Sequence, residues 1–118
     1  MAYVNIVTSD RGWILENLAT QISSRLSYVK FGDGVDADAA IQYYITYSCR
    51  YRRVSPIEVG YFAHLEPEGE AYEKFFRTAE DVDYCISHAE LYAHMLREHG
   101  IANVTAISPG VDLDRFMP

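Results

Sequence analysis

The sequence predicts an α/β fold with a mostly parallel sheet, on three observations. Short apolar segments rich in β-branched and aromatic residues alternate with amphipathic helical segments. Polar turns that contain glycine, proline or aspartate separate these segments. The chain has 118 residues, of which 49% are hydrophobic, so one domain can bury a core. Strands that alternate with helices form a parallel sheet with helices on both of its faces.

The first predicted unit is a strand, a glycine-containing turn and a helix. The strand covers Tyr3–Thr8 and the helix covers Trp13–Leu26, with Ser9 or Asp10 as its cap. The helix carries an apolar stripe at four-residue spacing, formed by Ile14, Leu18, Ile22 and Leu26. Such a unit is typical of the start of a Rossmann-like domain. The turn has one glycine, Gly12, so the three-glycine dinucleotide fingerprint is absent.

Five further strands and two further helices are predicted. The strands cover residues 28–31, 41–47, 57–63, 84–86 and 104–107. The first helix covers 70–79 and is expected to bury Ala71, Tyr72, Phe75, Phe76 and Ala79. The second runs to about His99, with Ser87 and Glu90 as a capping box and Gly100 as its stop. Together these elements predict a Rossmann-like three-layer sandwich.

Two charged loops connect the predicted elements in the middle of the chain. The acidic, glycine-rich turn at residues 32–38 lacks the EF-hand spacing and is interpreted as a solvated loop. The basic loop at residues 48–56 contains Arg50, Arg52 and Arg53. A solvated loop is the favoured interpretation there too, with contact to a phosphate or an acidic sugar as the alternative.

Composition excludes several classes of function. Ten basic and 17 acidic residues give a formal charge of −7, which argues against binding to nucleic acid or to an anionic membrane without help. Cys49 and Cys85 are far apart, so we expect no disulfide scaffold, a small buried Cys85 and a reducing cytoplasm. The histidines at 88, 94 and 99 lack the spacing of a helical zinc pair, so we expect no metal. There is neither a basic-then-apolar leader nor a stretch of membrane-spanning length.

The last stretch of the sequence carries a motif that resembles a known family. Residues Pro109–Pro118 read Pro-Gly-Val-Asp-Leu-Asp-Arg-Phe-Met-Pro. This string is similar to the interdomain crossover of the family-four glycosyltransferases of the GT-B fold, with proline, glycine, aspartate, phenylalanine and proline in register. The turn Ser87–Glu90 resembles the turn that precedes the crossover in that family. An ordinary exit from a strand into a loop is the alternative interpretation.

The resemblance implies a division of the chain and a function. Residues 1–108 would be the N-terminal, acceptor-side domain, and residues 109–118 would begin the linker to a C-terminal donor-binding domain that the sequence does not contain. Such an enzyme transfers a sugar from a nucleotide-sugar donor to a glycan or glycolipid acceptor, with retention of configuration and with neither a metal nor another cofactor. It would work in the cytoplasm or at the inner face of the membrane, and this chain alone would be inactive.

Other interpretations stay open beside the transferase. A stand-alone Rossmann-like binding or interaction module is the main one. A flavodoxin-like or receiver-like regulatory domain is disfavoured, because Asp10 is the one acid that follows the first strand and no central strand ends in aspartate. Peripheral contact with a membrane and a homo-oligomer are compatible with either main interpretation.

Candidate site residues follow from the predicted topology, because ligands bind beyond the carboxyl ends of parallel strands. His64 directly follows the fourth strand and has Glu66 nearby, so the pair can orient an acceptor hydroxyl or share its proton. Many members of the family have a histidine at the end of a mid-domain strand, which His64 matches by position. Capping of the next helix, or packing on Phe62, is the alternative role for His64.

Two further groups lie at the same predicted edge. Residues Asp10, Arg11, Gly12 and Trp13 follow the first strand, where the family binds the donor diphosphate or the acceptor. The second glycine of the family is missing there, so Arg11 would supply charge instead, and Trp13 either stacks on a sugar or anchors the helix. Ser87 and His88 form the last group, with helix capping as the alternative role for Ser87.

Overall fold

A computed structural model of the chain describes residues 2–8, 14–32, 34–63 and 65–107. In order, the elements are β1 (Val4–Val7), α1 (Ile14–Arg25), β2 (Val29–Phe31), β3 (Ile41–Tyr44), a 3₁₀ turn (Tyr47–Cys49), β4 (Ile57–Phe62), α2 (Glu70–Asp81), β5 (Tyr84–Ser87), α3 (Glu90–Glu98) and β6 (Val104–Ala106). The six strands form one parallel sheet in the order β2-β1-β3-β4-β5-β6. The predicted Rossmann-like α/β fold is confirmed.

The sheet separates two hydrophobic clusters. Helix α1 covers one face, in a cluster built on Ile6, Ala19, Val29, Ile45 and Tyr61. Helices α2 and α3 cover the other face, in a cluster rich in aromatic residues: Phe62, Phe75, Phe76, Cys85 and Leu96 are among its members. We name these the α1 face and the α2–α3 face. Neighbouring residues of β4 point to opposite faces, so Tyr61 and Phe62 belong to different clusters.

The order in which strands are added to the sheet reverses at β1: β2 lies on one side of it and β3 on the other. From β1 the chain passes through α1 to β2 on one side, whereas β3 to β6 follow one another on the other side. The order 2-1-3-4-5 is the one found in flavodoxin-like sheets, here with a sixth strand added. The loop that joins β2 to β3 is held by two buried amides: Asn5 donates to Gly34 O at 2.8 Å, and Gln42 donates to Asp36 O.

The third strand is shorter than predicted. It ends at Tyr44, not at Tyr47, because the chain then turns back, and Cys49 N donates to Thr46 O. The turn places the Tyr47 ring in the α2–α3 cluster, stacked on Phe62 at a centroid distance of 5.3 Å. The aromatic-rich segment therefore leaves the sheet after Tyr44, and the ring of Tyr47 packs in the core instead of continuing the strand.

Helix α2 buries fewer residues than predicted. Phe75, Phe76 and Ala79 are buried, as expected, and so is Thr78. Ala71 and Tyr72 are exposed, which contradicts the prediction, because they lie in the first turn and the buried face of the helix begins at Phe75. The predicted stop of the last helix is confirmed: Gly100 follows α3 with φ of +93°, a conformation that favours glycine.

The basic loop is not solvated at Arg50. This side chain is buried, and its Nε donates to Glu58 at 2.7 Å. Arg53 is more exposed and donates to Asp83 at 2.9 Å. Both guanidinium groups are held by carboxylates of the sheet and its loops, which disfavours the alternative of a phosphate site built from them. Arg52 is exposed.

Candidate functional site

All six strands are parallel, so their carboxyl ends meet along one edge of the sheet. We name this edge the carboxyl-end rim; its described members include Thr8, Thr46, Ala63, Ser87, His88 and Ile107. Backbone hydrogen bonds fix the positions of the last three strands here. His88 N donates to Phe62 O at 3.2 Å, and Ile107 N donates to Ser87 O at 2.9 Å. Backbone hydrogen bonds thus join the strand ends at the edge where such sheets bind ligands.

The first feature of the rim is a pair of threonines at the point where the strand order reverses. The hydroxyl oxygens of Thr8 and Thr46 lie 2.5 Å apart, which is hydrogen-bonding distance. Ile45 N donates to Val7 O at 3.0 Å and holds the two strand ends together. Parallel sheets form a crevice at such a reversal. Neither threonine was among the predicted site residues, although a hydroxyl residue close after a buried strand is a usable signal.

The second feature is a contact between Tyr61 and His88. The Tyr61 hydroxyl lies 3.2 Å from His88 Nδ1, and Tyr61 is only 3% exposed. A buried hydroxyl proton needs an acceptor, and among the described residues Nδ1 is the partner of this hydroxyl. We therefore assign Tyr61 as the donor. The Nε2 atom of His88 then carries the imidazole proton and can donate it to a ligand at the rim.

Burial shapes the acid–base properties of Tyr61. Removal from water raises the pKa of its hydroxyl, so this group stays protonated at neutral pH and keeps its role as a donor. Burial also raises the pKa of the neighbouring Tyr43, with a smaller contribution from Tyr61. Most tyrosines were predicted to be sheet and core residues, and Tyr61 was not among the predicted site residues. Tyr61 and His88 are 27 positions apart in the sequence, so no local sequence pattern indicates their contact.

Ser87 is not the cap of the last helix. It is the final residue of β5, pairs with Phe62 and Ala106, and is fully buried. Its hydroxyl donates to Ala89 O at 2.7 Å, and Ala89 itself occupies the cap position with no side-chain hydrogen bond. The predicted capping box is wrong because the strand continues through Ser87. The ligand-binding role is also disfavoured for this side chain, since it is buried and bonded to the backbone.

The remaining predicted site residues are distributed as follows. His64 and the turn Asp10, Arg11, Gly12 and Trp13 lie outside the described residues. Glu66 is described and exposed, and its charge contributes, after burial, to the raised pKa of Tyr47. His88 is exposed on the rim, where it was predicted.

The other described histidines lie on helix surfaces. His94 is 3.5 Å from Glu98, and His99 is 3.2 Å from Glu80. The described ranges contain no group of three or more histidine, cysteine, aspartate or glutamate side chains that could hold a metal ion. None of the helices in those ranges has the length and apolar character that crossing a membrane requires.

The chain matches no protein-family model, no curated protein and no solved structure. The chemistry that the described rim offers is hydrogen bonding: two threonine hydroxyls at the strand reversal and an oriented imidazole at the end of β5. Such groups suit a ligand with many hydroxyls or with phosphate oxygens.

Proposed function

We propose that this chain is the N-terminal, acceptor-side domain of a retaining glycosyltransferase that uses a nucleotide-sugar donor. The observation that carries the proposal is the string Pro109–Pro118, which resembles the family's crossover and begins three residues after the last strand of a parallel sheet ends. In this proposal residues 1–108 form the acceptor-side domain, and the crossover leads to a donor-binding domain. The enzyme would act in the cytoplasm or at the inner face of the membrane.

Each predicted site residue has a role in this proposal. His64, with Glu66, orients the acceptor hydroxyl and shares its proton as the new glycosidic bond forms. The turn Asp10–Trp13 approaches the donor diphosphate or the acceptor, with Arg11 supplying positive charge. His88 is a hydrogen-bond donor to a sugar hydroxyl or a phosphate oxygen. The rim thereby supplies acceptor contacts, and the second domain supplies most donor contacts.

A direct experiment measures sugar transfer by the intact protein from its native cell. Its mass is determined first, because two domains of common size plus a linker give about 35–45 kDa. His64→Ala is then expected to lower the transfer rate by roughly 10²–10⁴-fold, the usual contribution of a general acid–base residue. The control is His94→Ala, on the exposed surface of α3. Equal rates for the two variants would remove His64 from the mechanism.

Residues 1–118 alone are expected to bind an acceptor weakly and to transfer no sugar. Transfer by this chain alone would contradict the assignment of the donor site to another domain. A native mass of 13.5 kDa would leave the transferase proposal dependent on a partner protein that supplies the donor half.

The second candidate is a stand-alone binding module with no catalysis. A specific observation favours it: within the described residues, part of the α1 face of the sheet carries exposed apolar side chains, including Tyr84 and Ile57. Such a patch is typical of a protein contact surface. A single species of 13.5 kDa that transfers no sugar in the presence of its cellular partners would make this candidate the leading one.

A further inference from the structure

A shallow depression lies on the α1 face of the sheet, across strands β4, β5 and β6. Its volume is about 430 Å³. The residues that line it all belong to the described part of the chain: Val59, Tyr84, Cys85, Ile86, Ala102, Asn103, Val104 and Thr105. The volume lies in the range of about 300–1,000 Å³ that is usual for sites that bind small molecules.

An exposed aromatic ring is part of this lining. Tyr84 is the first residue of β5, and its side chain is 55% exposed. Its neighbours on the same face are Val59, which pairs with it across the strands, and Ile86, two residues further along β5. A tyrosine ring among aliphatic side chains offers a flat apolar surface with a polar hydroxyl at its tip. The C–H face of a sugar ring can pack against such a surface.

Polar side chains complete the lining. Asn103 and Thr105 are both exposed. The Asn103 amide donates one hydrogen bond, to Asp83 O at 3.2 Å. Among the described residues, its oxygen and the Thr105 hydroxyl make no hydrogen bond. An amide and a hydroxyl offer both donors and acceptors, and the hydroxyls of a sugar need both.

Other classes of ligand fit the depression less well. A protein partner needs about 800 Å² of surface and 20–30 residues on each side, whereas eight residues line this depression. An alkyl chain would bury the polar groups of Asn103 and Thr105 without partners, which costs free energy. An anionic ligand is disfavoured because the chain has a formal charge of −7.

We propose that this depression is a saccharide-binding site. Tyr84 is the platform for a sugar ring, and Asn103 and Thr105 form hydrogen bonds with its hydroxyls. The inference deepens the proposed function, on which it rests, because it gives the acceptor a class: a glycan of several sugar units that contacts the protein at more than one sugar.

The depression adjoins the carboxyl-end rim. Ile86 in its lining pairs with Tyr61 of β4, and the Tyr61 hydroxyl contacts His88 on the rim. A glycan whose terminal sugar lies at the rim can therefore extend along the α1 face into the depression. Each further contact adds binding energy without changing the reacting sugar.

The test is an NMR titration of the intact protein with four sugars. The probes are the methyl glycosides of glucose, galactose and mannose, and N-acetylglucosamine. At least one probe is expected to shift the backbone amide signals of Ile86 and Thr105 and the side-chain amide signal of Asn103. If none of the four shifts these signals, the proposal is overturned.

Variants of the tyrosine test its role as the platform. Tyr84→Ala is expected to weaken binding by about 2–12-fold, the size of a contact with one aromatic ring. Tyr84→Phe keeps the ring and is expected to retain binding. The matched control is Tyr28→Ala, because Tyr28 is 51% exposed and precedes β2 at the opposite edge of the sheet. A sugar that binds Tyr84→Ala as tightly as the wild type would contradict the proposal.

Thr105→Val gives a second test that does not depend on the ring. It removes one hydroxyl and keeps a β-branched side chain in β6, so the strand is expected to be retained. Loss of one hydrogen bond is expected to weaken binding by about 2–12-fold. Unchanged binding in this variant would remove Thr105 from the site.

Binding and transfer separate this inference from the proposed function. Sugar binding in the depression of a protein that transfers no sugar would support the inference and contradict the proposed function. Sugar transfer that His64→Ala lowers, with no sugar bound in the depression, would leave the proposed function standing and overturn the inference.

Discussion

The Nε atom of Arg50 donates a hydrogen bond to the carboxylate of Glu58 across 2.7 Å, and both side chains are buried. The same carboxylate accepts hydrogen bonds from the backbone N–H groups of Val54 at 2.6 Å and Ser55 at 3.1 Å. Glu58 thus fastens the basic loop to the strand that follows it. One guanidinium group and two backbone N–H groups donate to this carboxylate, and a buried carboxylate needs such partners to remain charged.

Removal of this carboxylate is expected to destabilise the protein strongly. Glu58→Gln leaves the buried guanidinium of Arg50 with Asp81, at 3.4 Å, as its remaining described carboxylate. Breaking a buried ion pair by removing one partner costs about 3–5 kcal/mol. Urea denaturation of the wild type and the variant measures the difference.

The matched control for Glu58→Gln is an exposed ion pair. Arg77→Gln breaks the contact between Arg77 and Glu73 on the surface of α2 and is expected to change the free energy of unfolding by less than about 1 kcal/mol. Similar losses in the two variants would contradict the anchoring role of Glu58.

The pKa values of three carboxyl groups predict how stability depends on pH. Burial by itself would raise the pKa of Glu58, but its hydrogen bonds from Val54, Arg50 and Ser55 outweigh this effect and lower it. The Arg53 hydrogen bond is the main cause of the lowered pKa of Asp83. The pKa of Asp36, on the loop between β2 and β3, is lowered mainly because the Tyr3 hydroxyl donates a hydrogen bond to its carboxylate.

The sign of the effect follows from these directions. Each carboxyl binds its proton less readily in the folded chain than in the unfolded chain, so its stabilising contribution is complete above the unfolded pKa of about 4–4.5. The contribution is lost as the pH falls through the lower folded value. Thermal unfolding between pH 6 and pH 3 is expected to show a falling midpoint, with a shallower fall in Asp83→Asn. An equally steep fall in that variant would contradict the role of Asp83.

The contact between Tyr61 and His88 predicts a single tautomer of the imidazole. Because the tyrosine donates to Nδ1, the neutral ring carries its proton on Nε2. Nitrogen-15 NMR spectra of the histidine ring are expected to show this tautomer in the wild type and a mixture in Tyr61→Phe. Tyr28→Phe is a control, since this tyrosine is exposed and lies elsewhere. A proton on Nδ1 in the wild type would reverse the assignment.

Gly60 leaves room for an aromatic ring and is expected not to tolerate alanine. A Cβ atom at this position would lie 2.8 Å from Cε2 of Phe62, whose ring is fully buried between Tyr47 and Phe75. The ring cannot move aside without disturbing the cluster, so Gly60→Ala is expected to cost about 1–3 kcal/mol of stability. Urea denaturation measures this loss.

A second glycine provides the control. Among the described residues, no atom lies within 4 Å of a Cβ added at Gly32. Gly32→Ala is therefore expected to leave stability unchanged or to raise it by up to about 1 kcal/mol, because alanine lowers the conformational entropy of the unfolded chain. If Gly60→Ala is as stable as Gly32→Ala, the packing of Phe62 is looser than its contacts indicate.

The features that the sequence predicted correctly are those with a local signal. Apolar runs at strand spacing and the stripe at helical spacing give the α/β fold, and Gly100 gives the end of α3. Cys85 was predicted to be a small buried residue, and it is: burial raises the pKa of its thiol to about 12. Periodicity reports which side of an element is apolar, and turn residues report where it ends.

By itself, then, the sequence determined the order and type of the elements. Tertiary structure alone decided that a predicted solvated arginine, Arg50, is buried, because its partner Glu58 belongs to the next strand. It also decided that Ser87 ends a strand and that Tyr61 meets His88. Each of these outcomes depends on strand register and on contacts between distant residues. Local patterns do not carry that information, because one residue of register shift changes every pair across a sheet.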